Sequence, residues 1–121
     1  MSFGKDLRRI AKDNTERLEE LGRLFTLDLF RGVILDTRVD TGRLRGNWQA
    51  SVGAPATGEL QTVDPAGGNT VERAAATIQP FALNYLSNNL PYAAVWEERD
   101  GMVGRSVVRV EQAAREAAAK V

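Results

Sequence analysis

The sequence predicts an α+β fold: a long N-terminal helix, a small antiparallel or mixed sheet of two to four strands, short helices and a C-terminal helix. Three observations carry this reading. Leu7, Ile10, Asn14, Leu18, Leu21, Phe25 and Asp28 recur at three- and four-residue steps, most of them apolar, which is the spacing of one helix face. The stretch "NWQASV" alternates, with Trp48, Ala50 and Val52 against Asn47, Gln49 and Ser51, as a half-buried strand does. From Met102 onward, Val103, Val107, Val110, Ala114, Ala117 and Val121 fall at heptad-like spacing.

Taken in order, residues from about 5 to 35 form the first helix, with no proline to interrupt it. About thirty residues rising 1.5 Å each give a rod of roughly 45 Å. In its second half Leu24, Phe25, Leu27, Leu29, Phe30, Val33, Ile34 and Leu35 cannot share one face. A helix apolar around most of its circumference is covered around most of it. Either it is a central core helix, or a second subunit covers part of it, and Phe25, Phe30 and Ile34 are the candidate subunit interface.

After the strand at Asn47, residues 53–68 are dense in Gly and Pro and read as loop, with room for a short strand in "ELQTV". "NTVERAAATI" opens a short helix, with Asn69 as cap, Glu72 at the capping-box position, and Val71, Ala75 and Ile78 on one face. "FALNYLSN" is a second strand, Phe81, Leu83 and Tyr85 alternating with Ala82, Asn84 and Leu86. Pro91 suits the first turn of a helix in "LPYAAVWEER". The last helix spans about 102–120, with Glu116 four residues ahead of Lys120. Two or three strands need helices over one face. A single domain over residues 1–121 is expected, without internal repeats.

Composition removes several chemistries. The chain has no cysteine and no histidine, so thiolate chemistry, disulfides and every Ser-His or Cys-His pairing are excluded. Sixteen basic residues balance sixteen acidic ones, which provides no overall pull toward DNA or a membrane surface. A DNA-binding regulator is disfavoured, as a basic recognition helix is also missing. The first residues lack the apolar core of a signal peptide and no window approaches a membrane span, so synthesis in the cytoplasm is expected. Gly67-Gly68 lacks the Lys and spacing of a phosphate loop. Glu97, Glu98 and Asp100 read as solvated surface, not a metal site, since no spaced oxygen-ligand loop accompanies them. No cofactor, metal or catalytic residue is expected.

Asp40-Thr41-Gly42 is the tripeptide of retroviral-type aspartic proteases, short chains that complete their site by dimerising. Such an Asp needs a loop between buried strands and a facing carboxylate to share a proton. Here it follows a long helix, among Arg38, Arg43 and Arg45, which would hold its pKa down. A structural turn is favoured: Asp40 accepting backbone N–H groups two residues on, and Gly42 taking positive φ. The arginines then stand in solvent, bridge Asp36 and Asp40, or face a partner.

Four blocks in order, "VDTGRLRGNW", "VDPAGG", "YLSNNLPYAAVWE" and "GMV", resemble the tail-completion or neck proteins of long-tailed bacteriophages, of tail-terminator-like or minor tail protein Z-like type. The resemblance spans about residues 35–112. It implies that Asp40, Thr41, Gly42, Arg43 and Leu44 form a turn into the strand carrying Trp48. It places a second motif on Asn88, Asn89, Pro91, Tyr92, Ala93 and Glu97. Relatives carry a longer loop where this chain has only Glu98, Arg99 and Asp100 before Gly101. The implied protein is non-enzymatic: a virion component of the head–tail neck, assembled in the host cytoplasm as a homo-oligomeric ring, with a hexamer expected. Its implied partners are the tail tube protein and the head-connector or stopper protein, with duplex DNA passing without sequence-specific binding and no membrane contact. A monomeric neck adaptor or assembly helper is the alternative, and a small dimeric protease a distant one.

Overall fold

In the computed structural model, residues 3–119 are described. The elements run α1 (Phe3–Asp36), α2 (Arg43–Gly46), β1 (Trp48–Val52), α3 (Gly68–Thr77), β2 (Asn84–Asn88), α4 (Ala93–Asp100) and α5 (Met102–Ala119). The fold is α+β, with a long first helix, one two-stranded antiparallel sheet, short helices and a C-terminal helix. Thirty-four residues in α1 make a rod of about 50 Å.

β1 and β2 pair from Trp48 opposite Asn88 to Val52 opposite Asn84. The pair is not a hairpin, since the loop at 53–67 and α3 lie between its strands. Ala50 and Leu86 face each other in the ladder and both pack on the core. That core is assembled from four places in the chain: Phe30, Val33 and Ile34 of α1, Trp48 of β1, Ala74 and Ile78 at α3, and Met102 opening α5. α5 returns along α1 in the opposite direction, Arg105 reaching Asp36 and Arg109 reaching Asp28. Gly32 lies between, where a Cβ would meet Arg109 Nη2 at 2.3 Å, so the helices close in at a residue with no side chain.

Of the two alternatives that the sequence left open, Phe30 and Ile34 follow the core-helix one, being covered by their own chain, and Phe25 is half-buried. The sheet, α3 and the start of α5 provide that cover together. Among the described residues, the large apolar side chains exposed on α1 are Leu18, Leu21, Leu24 and Leu35. Lys120 and Val121 lie outside the described residues, as do the side-chain surroundings of Leu7 and Ile10.

Other local expectations are corrected. "ELQTV" forms no strand; its Leu60 N–H donates instead to Asn47 Oδ1. Phe81 and Leu83 precede β2 and are exposed, because Asn84 closes a turn on them. Its Oδ1 accepts Gln79 N, and its Nδ2 donates to the carbonyls of Gln79 and Ala82. Pro91 lies two residues ahead of α4, not in its first turn. Asn69 sits inside α3, whose N-cap position is Gly67.

Ile34 has no exposed surface, whereas Leu18 is 60% exposed on the same helix. Ile34→Ala is expected to cost about 2–5 kcal/mol and Leu18→Ala less than about 0.5 kcal/mol, read by urea denaturation of each variant.

Candidate functional site

The helix-to-strand connection begins with an obligation: the last carbonyls of α1 have no helical partner and need donors. Arg45 supplies them, its guanidinium donating to the carbonyls of Leu35, Thr37 and Pro65. Thr37, fully buried, donates its hydroxyl to Val33 O and accepts Trp48 Nε1 at 2.8 Å. The start of β1 is thereby tied to the end of α1.

In the Asp-Thr-Gly turn it is the Thr41 hydroxyl that accepts Arg43 N–H, and Asp40 stays exposed without a hydrogen bond. Gly42 adopts φ 96°, open to glycine and costly for other residues. Its carbonyl accepts both Gly46 N and Asp64 N. A Cβ at Gly42 would lie 2.6 Å from Pro65 N. The first resemblance block and the "VDPAGG" block are thus pressed backbone to backbone.

Asp64 fills the role expected of Asn69. Its buried carboxylate accepts Gly67 N, Thr70 N at 2.9 Å and the Thr70 hydroxyl at 2.7 Å, capping the positive end of α3. Burial pushes its pKa upward, but the Thr70 and Gly67 bonds, with Arg73 nearby, outweigh this and hold it below the ordinary carboxylate value. Glu97 does the same for α5, accepting Val103 N and Gly104 N. An Asp six residues ahead of Thr70, followed by Pro and Gly-Gly, is the one signal in the sequence that marks the α3 cap.

The second block closes on the first. Asn88 donates to Leu44 O at 2.8 Å and accepts Leu90 N. Asn89 donates to the carbonyls of Ala56 and Gly58, and Asn47 bridges Arg43 O and Leu60 N. Leu44, Leu90 and Ala93 form a small second core, with Trp96 against it. Arg38 lies over the Trp96 ring, 3.8 Å from its centroid, and grips Asp100 through two 2.7 Å hydrogen bonds. The bond to Arg38 holds the Asp100 pKa below the ordinary carboxylate value. The arginines do not bridge Asp36 and Asp40: Arg38 takes Asp100, Arg45 takes carbonyls, and Asp36 is taken by Arg105.

Arg38, Asp40, Thr41, Gly42, Leu44, Tyr92 and Trp96 line one cavity of about 130 Å³. The structure thus brings together Asp40, Thr41, Gly42, Leu44 and Tyr92 from the two motifs. Arg43, Trp48, Asn88, Asn89, Pro91, Ala93 and Glu97 do not line it; Trp48 is core, and the asparagines and Glu97 fasten backbone. Asp40 is the cavity's one carboxylate, on a turn that follows a helix. A larger groove of about 410 Å³ between α1 and α5 is lined by Asp28, Asp36, Arg105 and Arg109 among others. Those four charges are paired across the two helices, and Arg31, also in the lining, stands outside these pairs. Among the described residues no group of three acidic side chains is placed to hold a metal, and no helix is long and apolar enough to cross a membrane.

Comparison with protein-family models, curated proteins and solved structures finds no match.

Asp40→Asn is expected to change stability by less than about 0.5 kcal/mol, since Thr41 holds the turn, whereas Gly42→Ala costs about 2 kcal/mol or more; thermal unfolding of both compares them. The depressed pKa of Asp64 contributes stability above the unfolded value near 3.9, lost as pH falls through the lower folded value. Asp64→Asn should therefore destabilise at neutral pH by about 2 kcal/mol and flatten the decline in stability below about pH 4, measured by denaturant titration from pH 2 to 7.

Proposed function

We propose that the chain is a structural protein of the bacteriophage head–tail junction, completing or terminating the tail tube and joining it to the head connector. One observation supports the reading above others. The sequence blocks that carry the resemblance, from opposite halves of the chain, meet across Leu44, Leu90, Ala93 and Trp96, and most of their polar residues are spent on holding backbone. Such a wall suits docking by shape. In this reading the subunits work as a ring, a hexamer by resemblance, between the tail tube protein and the connector or stopper. Duplex DNA passes through the lumen, and the balanced charge of the chain accords with a passage that does not trap phosphate.

The enclosure of Phe30 and Ile34 by their own chain favours a subunit that folds before it assembles. That also accommodates a monomeric neck adaptor, and contacts with neighbours then use surfaces other than those two residues.

Inactivating the gene in a phage that carries it should leave DNA-filled heads and separate tails that lack a working joining end. Electron microscopy of the lysate, before and after adding purified protein, reads this. Infectious, complete virions without the protein would end the proposal.

A further inference from the structure

The first half of α1 stands apart from the rest of the fold. From position 8 to position 22, every described side chain is exposed except Glu19, which is half-buried. Leu18 and Leu21 are 60% and 42% exposed. A lone helix of this length is marginal in water, and a Cβ on Gly22 would meet nothing within 4 Å.

The apolar positions of this arm are arranged as a mirror about Asn14. Counting outward, Ile10 and Leu18 stand four residues away on either side, and Leu7 and Leu21 seven. At 100° per residue, positions 7, 10, 14, 18 and 21 fall within about an 80° arc. Further along the helix the same face carries Asp28, Gly32 and Asp36, where α5 docks. This is a face that already receives a helix, and its free end repeats the spacing in a form that complements itself.

We propose that this face pairs with the same face of a second copy of the chain, antiparallel, with the two-fold axis at Asn14. In that register position 10 lies opposite 18 and position 7 opposite 21, so each apolar layer is completed by the other copy. The two Asn14 amides meet at the axis, where each offers a donor and an acceptor to the other, and a buried Asn pair fixes register. Ala11 and Thr15 on one shoulder are small enough for close approach. On the other shoulder Arg17 comes alongside Asp13 of the second copy.

Charge selects the same direction. Positions 4–12 carry Lys5, Arg8, Arg9 and Lys12 against Asp6, a net +3. Positions 13–20 carry Asp13, Glu16, Glu19 and Glu20 against Arg17, a net −3. Antiparallel arms lay unlike segments side by side, whereas parallel arms oppose like with like. Axes 8–10 Å apart are within about one Debye length at 0.1 M salt, so the preference is strongest in dilute buffer. The contact is isologous and closes at two copies. It is independent of the head–tail proposal, since any ring contacts would use other surfaces.

Sedimentation of the full chain over micromolar to millimolar concentrations tests the pairing. The wild type is expected to dimerise, and Leu18→Glu with Leu21→Glu to weaken that association at least about tenfold, one unit of 1.4 kcal/mol, with circular dichroism and the thermal midpoint of the monomer unchanged. Because the chain has no cysteine, single cysteines report register. Asn14→Cys should oxidise to a covalent dimer, and Ile10→Cys should cross-link with Leu18→Cys when the two are mixed, while Leu18→Cys alone should not. A wild type that stays monomeric throughout overturns the proposal. So does a dimer that survives the Leu18 and Leu21 changes, or efficient self-cross-linking of Leu18→Cys.

Discussion

Helix ends that meet the core must have their backbone groups satisfied, and the fold is organised around that requirement. At three of these ends a charged side chain does the work. Arg45 collects the carbonyls at the end of α1, Asp64 the N–H groups opening α3, and Glu97 those opening α5. Each charged group acts from outside the helix it serves. Together they fix how the helices enter the core, and the sheet follows: β1 starts where Thr37 holds Trp48.

The regular elements were legible because their signals are local. The three-and-four spacing of α1, the alternation in β1 and the apolar series of α5 depend only on how a backbone presents successive side chains. The α2 turn was legible through Gly42, since few residues other than glycine occupy its φ. Asn69 was read as a cap with Glu72 at the capping-box position, and a buried Asp five residues earlier prevailed by offering two oxygens to three donors. Phe81 and Leu83 alternate as strand residues do, yet the side-chain amide of Asn84 stabilises a turn instead.

The candidate site was legible as two motifs and not as a place. Nothing in the linear order indicates that Arg38 will lie on Trp96 or bind Asp100, sixty-two residues away. The roles of Arg38 and Arg45 depend on which acceptors tertiary packing delivers. The cover over Phe30 and Ile34 was left open between two alternatives for a similar reason: a helix pattern states how much surface needs covering but not which elements arrive to cover it.

The loop at 53–67 has a property that its composition conceals. Its carbonyls at Ala56 and Gly58 are held by Asn89 and Gln49, and its Leu60 N–H by Asn47. All of these attachments use loop backbone and side chains that belong to the ends of the sheet. The path of residues 54–60 is therefore written largely outside the loop. There, glycine at position 58 with its φ of 80° and a residue other than proline at position 60 are the requirements on identity, whereas adding or removing a residue would slide backbone groups off fixed partners. For an evolving lineage, or for anyone fusing a peptide here, length is the guarded quantity in this first half, while Asp64 and Gly67 guard the second by identity.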